Sequence, residues 1–354
     1  MNPGAGFYPA TREARRILVL DPGALGDTLH LLPAMRELRR NYPEAELHVL
    51  CSPVGAELHQ MAGYANRLWP LSQDSKKRRL SEQLRLLLAL RRLRFDASLN
   101  FGTNDRNLIY AAVIGARRRL GRKLARWHSW SSFCVPDWVT VTGGGKPAFE
   151  ERLLMLEAAG FPIEQAQFTL PIPEDARAWA AANIPARAVH LSINASTPLK
   201  EWPLRHWIHL AGGLATDFGC SVIATGSNQP REQQRLNALA AAAPQVRIFA
   251  GLPIARLAAT IGLCSLHVGA DSGVLHLAVA LGTPGISLFR DYPGWKTWAP
   301  QGEGHKVLVA HCECAAQKNA ACVGRTEAAC LAGIGPQMVL DAVRERLAIR
   351  DADA

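Results

Sequence analysis

The 354-residue sequence contains no uninterrupted apolar run of the roughly 18 residues that a membrane-spanning helix requires. Its first segment, Met1 to Arg16, also lacks the apolar centre and the small-residue cleavage site of a secretory signal peptide. The apolar fraction of 48% and the nine Trp residues are typical of a globular protein and exclude a disordered one. We therefore expect a cytoplasmic protein, long enough for two domains with separate cores.

Acidic residues are scarce in one segment of the chain. Between Lys76 and Arg126, fifteen Lys and Arg residues stand against three acidic residues, an excess that is larger than the net charge of +10 for the whole chain. Basic surfaces of this kind attract phosphorylated lipids, anionic membranes or nucleic acid. The alternative is a solvated face that only confers solubility.

The eight cysteines lack the Cys-x-x-Cys pairs of zinc ribbons. Four lie in apolar runs, where we expect reduced core residues: Cys51, Cys134, Cys220 and Cys264. The other four cluster near the C-terminus: Cys312, Cys314, Cys322 and Cys330. These four thiols could hold Zn²⁺ or iron, but their spacing favours reduced or redox-labile thiols.

Predicted strands and helices alternate along the chain, and the pattern begins twice, at Arg16 and again at Ala188. Such alternation predicts an α/β fold of doubly wound parallel sheets covered on both faces. We expect an N-terminal domain over residues 1–172, a connection through Pro171 to Ala188, a second domain over 186–333, and a helix and tail over 334–354. Two facing domains of this type would form a cleft, a common place for a small ligand.

A polar turn in the second domain joins a predicted strand to a predicted helix. It runs from Gly269 to Gly273, inside the stretch His267 to Pro284. Asp271 and Ser272 fall where the helix begins, so backbone N–H groups there could hold an anion such as a diphosphate. The alternative is an ordinary helix N-cap.

Two further loops each follow an apolar run and precede a helix. In the first, Gly23-x-x-Gly26 lacks the third glycine of the dinucleotide-binding fingerprint. Gly26 would let a ligand approach the backbone, and Asp27 is either a helix cap or a general base. In the second loop, Lys200 is either a surface lysine or the cation that compensates a departing diphosphate.

The residues of these loops resemble glycosyltransferase family 9, which contains the ADP-heptose:lipopolysaccharide heptosyltransferases. The resemblance is carried by Gly26 to His30 with Leu32 to Ala34, by Lys200 to Pro203, and by Gly269 to His276 followed by Ala280 to Pro284. It extends from about residue 17 to residue 349. It implies the GT-B fold, in which two facing Rossmann-like domains form a deep interdomain cleft.

The same resemblance implies roles for individual residues. Asp27 would deprotonate the acceptor hydroxyl, Lys200 would contact the donor phosphate and sugar, and Asp271 would bind the donor sugar. Ser272 and Gly273 would offer backbone N–H groups to the diphosphate. The remaining expected donor-binding residues are Gly26, Asn194, Ser196, Glu232 at the ribose, Leu252 at the adenine, and His276.

The implied reaction is an inverting transfer of heptose from ADP-heptose to the lipopolysaccharide inner core, either Kdo–lipid A or a heptosylated core. A base on the acceptor side and cationic compensation on the leaving-group side suffice for this chemistry, so we expect no required cofactor or metal. The single Asp-x-Asp, at Asp351, lies in the terminal tail. The alternatives are a transferase for another nucleotide sugar or acceptor, and a non-catalytic nucleotide-sugar-binding module.

The basic segment then predicts the partner of the N-terminal domain. An acidic phosphorylated glycolipid would bind to Arg78, Arg79, Arg119, Arg122 and Lys123. The neighbouring face of Leu80, Leu84, Leu87 and Leu88 is either core or a surface that rests on the inner leaflet of the cytoplasmic membrane. We expect peripheral attachment there and no nucleic-acid partner.

Overall fold

The computed structural model describes residues 2–72, 80–102, 104–123, 127–141, 146–164, 169–312, 322 and 327–352. The chain divides into two compact units, Met1–Phe168 (unit 1) and Thr169–Ala354 (unit 2). No helix within the described ranges is long and apolar enough to cross a membrane.

Unit 1 is built on a six-stranded sheet. Its strands are β1 (Arg16–Asp21), β2 (Glu46–Cys51), β3 (Arg67–Pro70), β4 (Ala97–Asn100), β5 (Arg118–Arg122) and β6 (Asp137–Val139). Its helices are α1 (Phe7–Thr11), α2 (Leu25–Asn41), α3 (Pro53–Ala62), α4 (Leu80–Arg92), α5 (Asp105–Ile114), α6 (Ser131–Cys134) and α7 (Ala148–Ala158). The strands lie parallel in the order β3-β2-β1-β4-β5-β6.

Both faces of this sheet are buried, as β1 shows. Its residues alternate between two cores because successive strand side chains point to opposite faces. Ile17 and Val19 pack with the α2 residues Leu31 and Met35. Leu18 and Leu20 pack with residues of α4 and α5 on the other face. This arrangement confirms the predicted doubly wound sheet.

Unit 2 repeats the same plan. Its strands are β7 (Ala188–Ser192), β8 (Ser221–Gly226), β9 (Val246–Ala250), β10 (Leu266–Ala270), β11 (Gly285–Arg290) and β12 (His305–Ala310). Its helices are α8 (Glu174–Asn183), α9 (Leu204–Thr216), α10 (Pro230–Ala242), α11 (Ile254–Leu263), α12 (Gly273–Ala280), α13 (Trp295–Trp298), α14 (Ala329–Ala332) and α15 (Pro336–Ala352), with a 3₁₀ turn at Pro198–Lys200. The parallel order β9-β8-β7-β10-β11-β12 reproduces that of unit 1 strand for strand.

The C-terminal helix α15 packs against unit 2. Leu340 lies so close to Gly213 of α9 that a Cβ on this glycine would be 2.8 Å from the leucine Cδ2. The indole Nε1 of the buried Trp202 donates to the Ile334 carbonyl just before α15, at 2.9 Å. These contacts join the end of the chain to the loop that contains Lys200.

Two segments contain elements that the sequence did not predict. The segment expected to connect the domains contains α8, whose Ala176 and Ala180 pack with Ala259 of α11 in the core of unit 2. The basic residues Arg118 to Arg122, read only as surface, form strand β5 inside the sheet. The charged sequence hid this strand, which is possible because Arg118 donates to the Asp137 carboxylate of the adjacent β6 at 2.5 and 2.9 Å.

Candidate functional site

A cavity of about 440 Å³ opens in unit 1 where β1, β2 and β4 end. Strand order in the sheet reverses between β1 and β4, and such reversal points are where doubly wound folds bind ligands. The residues that line the cavity are Asp21, Pro22, Gly23, Ala24, Asp27, Ser52, Pro53, Val54, Phe101, Gly102, Asn104, Asn107 and Arg152. The cavity therefore contains the predicted base, Asp27.

Asp27 lies in the first turn of α2. One carboxylate oxygen accepts the Ala24 N–H at 3.1 Å, and the other lies 3.5 Å from Nη2 of Arg152. The side chain retains 40% exposure. Asp27 thus accepts a hydrogen bond at the start of α2 and also faces the cavity. The interpretations of Asp27 as a helix cap and as a general base are therefore compatible.

The surroundings of Asp27 favour proton uptake. Burial raises the pKa of its carboxyl above the ordinary value of 3.8, the Arg152 guanidinium opposes this rise, and the carboxylate of Asp21 adds to it. A carboxylate with a raised pKa is a stronger general base at neutral pH than an ordinary aspartate. Asp27 therefore has the chemistry that deprotonation of an alcohol requires.

Two charged residues beside Asp27 were not assigned a role from the sequence. Arg152 of α7 is only 12% exposed, and its Nη1 donates to the Ala148 carbonyl at 2.8 Å. Asp21, at the end of β1, is 3% exposed, and its Oδ2 lies 3.8 Å from Nε2 of His59. The position of Asp21 at the carboxyl end of a central strand was the available signal, whereas no local pattern marks an arginine in the middle of a helix.

Gly23, not Gly26, provides the close approach in the first loop. A Cβ on Gly23 would lie 2.5 Å from Cβ of Asp27 and 3.2 Å from Oδ1 of Asp21. Gly26 is buried in the first turn of α2 and does not line the cavity. Only glycine fits between the two carboxylates at position 23.

In unit 2, the predicted residues Lys200 and Asp271 are in direct contact. Nζ of Lys200 lies 2.7 Å from Oδ2 of Asp271, and the phenol of Tyr292 donates to the same oxygen at 2.9 Å. Lys200 also lies 5.3 Å from the centre of the Tyr292 ring. Burial and the carboxylate of Asp271 raise the pKa of the Tyr292 phenol, which keeps it a hydrogen-bond donor. Tyr292 was not predicted, although it follows β11 at the same edge of the sheet.

The loop that carries Lys200 is fixed by the residue after it. Glu201 is 4% exposed, accepts the Ala195 N–H at 3.1 Å, and pairs with Arg231 at 2.6 Å and Arg235 at 3.4 Å. Arg231 also donates to the Ala195 carbonyl at 2.7 Å. Because α10 provides both arginines, this helix sets the position of the loop and of Lys200.

Ser272 occupies the N-cap position of α12 with an extended backbone. Within the described part of unit 2, the Ser272 side chain makes no capping hydrogen bond to α12. Its Oγ instead lies 3.4 Å from Oγ of Ser192 at the end of β7. The ordinary capping interpretation is therefore not supported for Ser272. The N–H groups of the first turn, beginning at Gly273, remain available to an anion.

Asn194 and Glu232 flank Gly226 at the end of β8. A Cβ on Gly226 would lie 3.1 Å from Nδ2 of Asn194 and 3.4 Å from Oε2 of Glu232. Oε2 of Glu232 accepts the Ser227 N–H at 2.8 Å. Asn194 is 7% exposed, and neither of its amide atoms has a hydrogen-bond partner in the described part of unit 2. A buried amide in this state is suited to bind a polar ligand.

The remaining predicted donor residues lie at or near the same edge. Leu252 is half-buried just after β9, and Ser196 is exposed on the loop before Lys200. His276 is buried in α12, with its ring 5.8 Å from that of Trp298. The structure brings Lys200, Asp271 and Ser272 together at the adjacent ends of β7 and β10.

The predicted acceptor residues have partners inside unit 1. Arg119 donates to the backbone carbonyls of Ala116, Phe133 and Cys134, and Arg122 pairs with Glu151 at 2.5 Å. Nζ of Lys123 lies 4.8 Å from the centre of the Trp138 ring. Arg78 and Arg79 lie outside the described residues. Acceptor binding by Arg119 and Arg122 would require these contacts to be exchanged.

The cysteines in apolar runs are buried, as predicted: Cys51, Cys134, Cys220 and Cys264. Near the C-terminus, Nη2 of Arg290 lies 3.1 Å from Sγ of Cys312, and burial raises the pKa of the neighbouring Cys330 thiol. Cys322 is buried, and Cys314 lies outside the described residues. Within the described ranges, no three His, Cys, Asp or Glu side chains converge as metal ligands.

The leucine face of α4 is divided between the core and the surface. Leu87 is buried, whereas Leu80, Leu84 and Leu88 are 83%, 52% and 43% exposed. The core interpretation is therefore correct for Leu87 alone. The exposed leucines remain available for a surface contact.

Known proteins share this sequence and this fold. The chain is 25% identical over 293 residues to lipopolysaccharide heptosyltransferase 3 of Escherichia coli, covering 77% of this chain and 84% of that protein. It is also 25% identical over 289 residues to the lipopolysaccharide core heptosyltransferase OpsX of Haemophilus influenzae, covering 79% and 80%.

Solved structures have the same two-sheet fold. ADP-heptose lps heptosyltransferase II of E. coli matches with a TM-score of 0.74 at 20% identity over 95% of this chain and 99% of that chain. A glycosyltransferase family 9 protein of Veillonella parvula matches with a TM-score of 0.79 at 18% identity over 94% and 97%. E. coli heptosyltransferase WaaC with ADP-2-deoxy-2-fluoro heptose matches with a TM-score of 0.71 at 19% identity over 93% and 99%.

The family model covers most of the chain. Residues 84–326 match glycosyltransferase family 9 (heptosyltransferase), a span that includes Arg152 of unit 1 and the whole Lys200, Asp271 and Tyr292 group of unit 2. This match agrees with the resemblance carried by the three loops. The chain belongs to glycosyltransferase family 9 and is an enzyme of the transferase class.

Proposed function

We propose that this enzyme transfers a heptose from ADP-heptose to the inner core of lipopolysaccharide with inversion at the anomeric carbon. The observation that carries the proposal is the ion pair of Lys200 and Asp271 beside the start of α12, within a family of heptosyltransferases. Cationic and N–H groups at one strand terminus are suited to the diphosphate of a nucleotide sugar. The relatives named as lipopolysaccharide heptosyltransferases support the choice of donor and acceptor.

Each unit has its own part in this reaction. In unit 1, Asp27 takes the proton of the acceptor hydroxyl while the oxygen forms a bond to the anomeric carbon of the heptose. The bond from that carbon to the diphosphate oxygen breaks, and its electron pair leaves with ADP. In unit 2, Lys200 and the N–H groups from Gly273 onward stabilise the negative charge that develops on the diphosphate.

The rest of the donor is assigned to the neighbouring strand termini of unit 2. Asp271, held by Lys200 and Tyr292, binds the heptose hydroxyls. Asn194 and Glu232 beside Gly226 bind the ribose side, and Leu252 contacts the adenine. These roles require no metal, because Lys200 and the N–H groups at the start of α12 compensate the negative charge of the diphosphate.

We assign the enzyme to the inner face of the cytoplasmic membrane, where a lipid-linked core is made. The exposed leucines Leu80, Leu84 and Leu88 share the outer face of α4 with Arg85 and Arg92, a combination that suits an anionic lipid surface. The phosphorylated acceptor would enter from this surface. A transferase for a different nucleotide sugar or acceptor is the alternative.

The test combines donor binding and product analysis. The full chain is titrated with ADP-heptose, ADP-glucose and UDP-glucose by calorimetry, and then incubated with each donor and a panel of truncated core lipids. We expect ADP-heptose to bind best and mass spectrometry to show the addition of one heptose. Failure to bind ADP-heptose, or transfer from another donor alone, would overturn the assignment.

A further inference from the structure

The charges that line the unit 1 cavity do not balance. Asp21, Asp27 and Arg152 are the charged residues among those that line it. Burial lowers the pKa of the Arg152 guanidinium, and the carboxylates of Asp21 and Asp27 both oppose this change. Nη2 of Arg152 lies 3.5 Å from Asp27, and its Nη1 donates to the Ala148 carbonyl. Asp21 adds a second carboxylate, which is 97% buried and lies 3.8 Å from the His59 imidazole. One guanidinium is thus shared by two carboxylates. The described lining of the cavity therefore carries an excess of one negative charge.

Acceptors outnumber donors among the buried cavity atoms that lack a hydrogen-bond partner in the described residues. Oγ of Ser52 already accepts the Gly55 N–H at 3.2 Å, and Oδ1 of Asn104 accepts the Asn107 N–H at 3.1 Å. Oδ2 of Asp21 and Oδ1 of Asn107 are buried and have no hydrogen-bond partner in the described part of unit 1. Both of these oxygens can only accept. Nε of Arg152, which also lines the cavity, is a buried donor without a partner in the same part of the structure. A ligand that satisfies all three atoms must donate to two oxygens and accept from one nitrogen, as hydroxyls do, whereas an ionised carboxylate or phosphate can only accept.

We propose that the sugar unit that enters this cavity is neutral and rich in hydroxyls, and that Asp21 excludes a sugar acid or a phosphorylated sugar. The proposal rests on the proposed function, because it takes Asp27 as the base for the reacting hydroxyl. An anionic group would meet Asp21 at a place with little water, where contact between like charges is costly. Rejection of this kind gives specificity through repulsion rather than through added attraction.

The acceptor then has two parts that differ in charge. The phosphates of the lipid stay outside the cavity, and the sugar that receives the heptose is uncharged. Of the two acceptors expected from the sequence, the cavity selects the core that already carries a neutral heptose over the core that ends in the sugar acid Kdo. Asp21 is thus a specificity residue, while Asp27 is the catalytic one.

The first experiment measures kcat/KM for two acceptors that differ at the terminal sugar, a neutral heptose against Kdo, with Asp21 and with Asp21→Asn. For the wild type, we expect a preference of about 10-fold or more for the neutral terminus, from one unfavourable charge contact. In Asp21→Asn this ratio should fall several-fold, chiefly because the acidic acceptor improves. A wild-type preference for the acidic terminus, or a ratio that Asp21→Asn leaves unchanged, would overturn the proposal.

The second experiment needs neither transfer nor a variant. The wild-type full chain is titrated by ligand-observed NMR with methyl mannoside, methyl mannuronate, and the methyl ester of methyl mannuronate. We expect the mannoside and the ester to bind and the ionised mannuronate to bind at least several-fold more weakly. Equal binding of all three, tighter binding of the acid, or no binding at all would contradict the inference.

The two experiments also separate this inference from the proposed function. If the sugars show the expected order of binding but ADP-heptose does not bind, the cavity specificity stands and the heptosyltransferase assignment fails. If heptose is transferred equally to acidic and neutral termini, the assignment stands and the role of Asp21 fails.

Discussion

The two units have the same strand order, yet the same place in each carries different chemistry. In unit 1, the crevice between the ends of β1 and β4 contains a carboxylate in front of a buried arginine. In unit 2, the crevice between the ends of β7 and β10 contains a lysine held by a carboxylate and a phenol. The fold thus supplies two equivalent positions, and a few side chains place a half-exposed carboxylate at one and a lysine at the other.

The helix starts at these crevices show the difference most clearly. Helix α5 of unit 1 follows Asn104, whose side chain accepts the Asn107 N–H and so satisfies the first turn. Helix α12 of unit 2 follows Ser272, whose side chain turns toward Ser192 instead. A capped helix start has less to offer an anion than an uncapped one. We therefore assign the diphosphate to unit 2.

The largest effect should come from Asp27→Asn, which removes the base but keeps the size of the side chain. We expect kcat to fall by roughly 10²-fold or more because a general base contributes this much. ADP-heptose binding should be unchanged, since the donor groups lie in unit 2. Asp105→Asn, at the first turn of α5 in the same unit, is the matched control. Full activity in Asp27→Asn, measured by ADP release, would contradict the assignment of the general base to unit 1.

Lys200→Met should have the next largest effect. The variant keeps the length of the side chain but removes the cation that faces the leaving group, and we expect kcat to fall by about 10²-fold. Steady-state kinetics and donor titration would measure this change. Lys306→Met, on the outer strand β12 of the same unit, should be close to wild type. If Lys200→Met and Lys306→Met both retained the wild-type kcat, Lys200 would have no role in stabilising the leaving group.

Tyr292→Phe tests the contact that the sequence did not reveal. Removing the phenol leaves Asp271 with one fewer donor, so we expect the donor Kd to rise by roughly 5-fold, the value of about 1 kcal/mol. Calorimetry with ADP-heptose measures this shift. Tyr110→Phe in unit 1, where the phenol donates to Gln83, should leave donor affinity unchanged. An unaltered Kd in Tyr292→Phe would show that the phenol only supports packing.

The last expected effect concerns the stability of unit 2, not the activity of the enzyme. His190 and His267 are fully buried, with their Nδ1 atoms 2.8 Å apart. Burial lowers the pKa of His190 to about 3 and holds the pKa of His267 well below 6.5. Folding therefore favours the neutral rings, and the stability they contribute is present above pH 6.5 and is lost as the pH falls below it.

The loss between pH 7 and pH 5.5 should be about 1 kcal/mol for each ring. Urea unfolding at the two pH values, followed by fluorescence, measures it. His190→Asn should depend less on pH over this range, whereas His128→Asn, at an exposed position, should behave as the wild type does. An equal pH dependence in all three proteins would exclude the buried pair as the cause.

The sequence predicted the framework because apolar periodicity and loop chemistry are local. Most strands of the two sheets, the loop positions of Asp27 and Lys200, and the start of α12 at Asp271 and Ser272 could be read from it. Residues whose role depends on packing could not. Arg152 reaches Asp27 from a helix more than 120 positions away, and Tyr292 reaches Asp271 from the next strand.

The basic strand shows the opposite limit. Charge density between Arg117 and Lys123 predicted a surface for a phosphorylated ligand, but it could not show that Arg119 and Arg122 already have partners in the protein. A run of cations indicates attraction to anions only when the guanidinium groups are accessible. Their internal hydrogen bonds are a product of the tertiary fold.

In the proposed donor site, one helix of unit 2 serves both ends of the nucleotide sugar. Helix α10 carries Arg231 and Arg235, which clamp Glu201 and thereby the lysine beside it, and it also carries Glu232 on the ribose side. Any displacement of this helix is transmitted to the nucleoside pocket and to the leaving-group lysine together. In that site, base recognition and departure of the leaving group would be mechanically linked, so changing the preferred nucleotide by mutating α10 would also change the rate of glycosyl transfer.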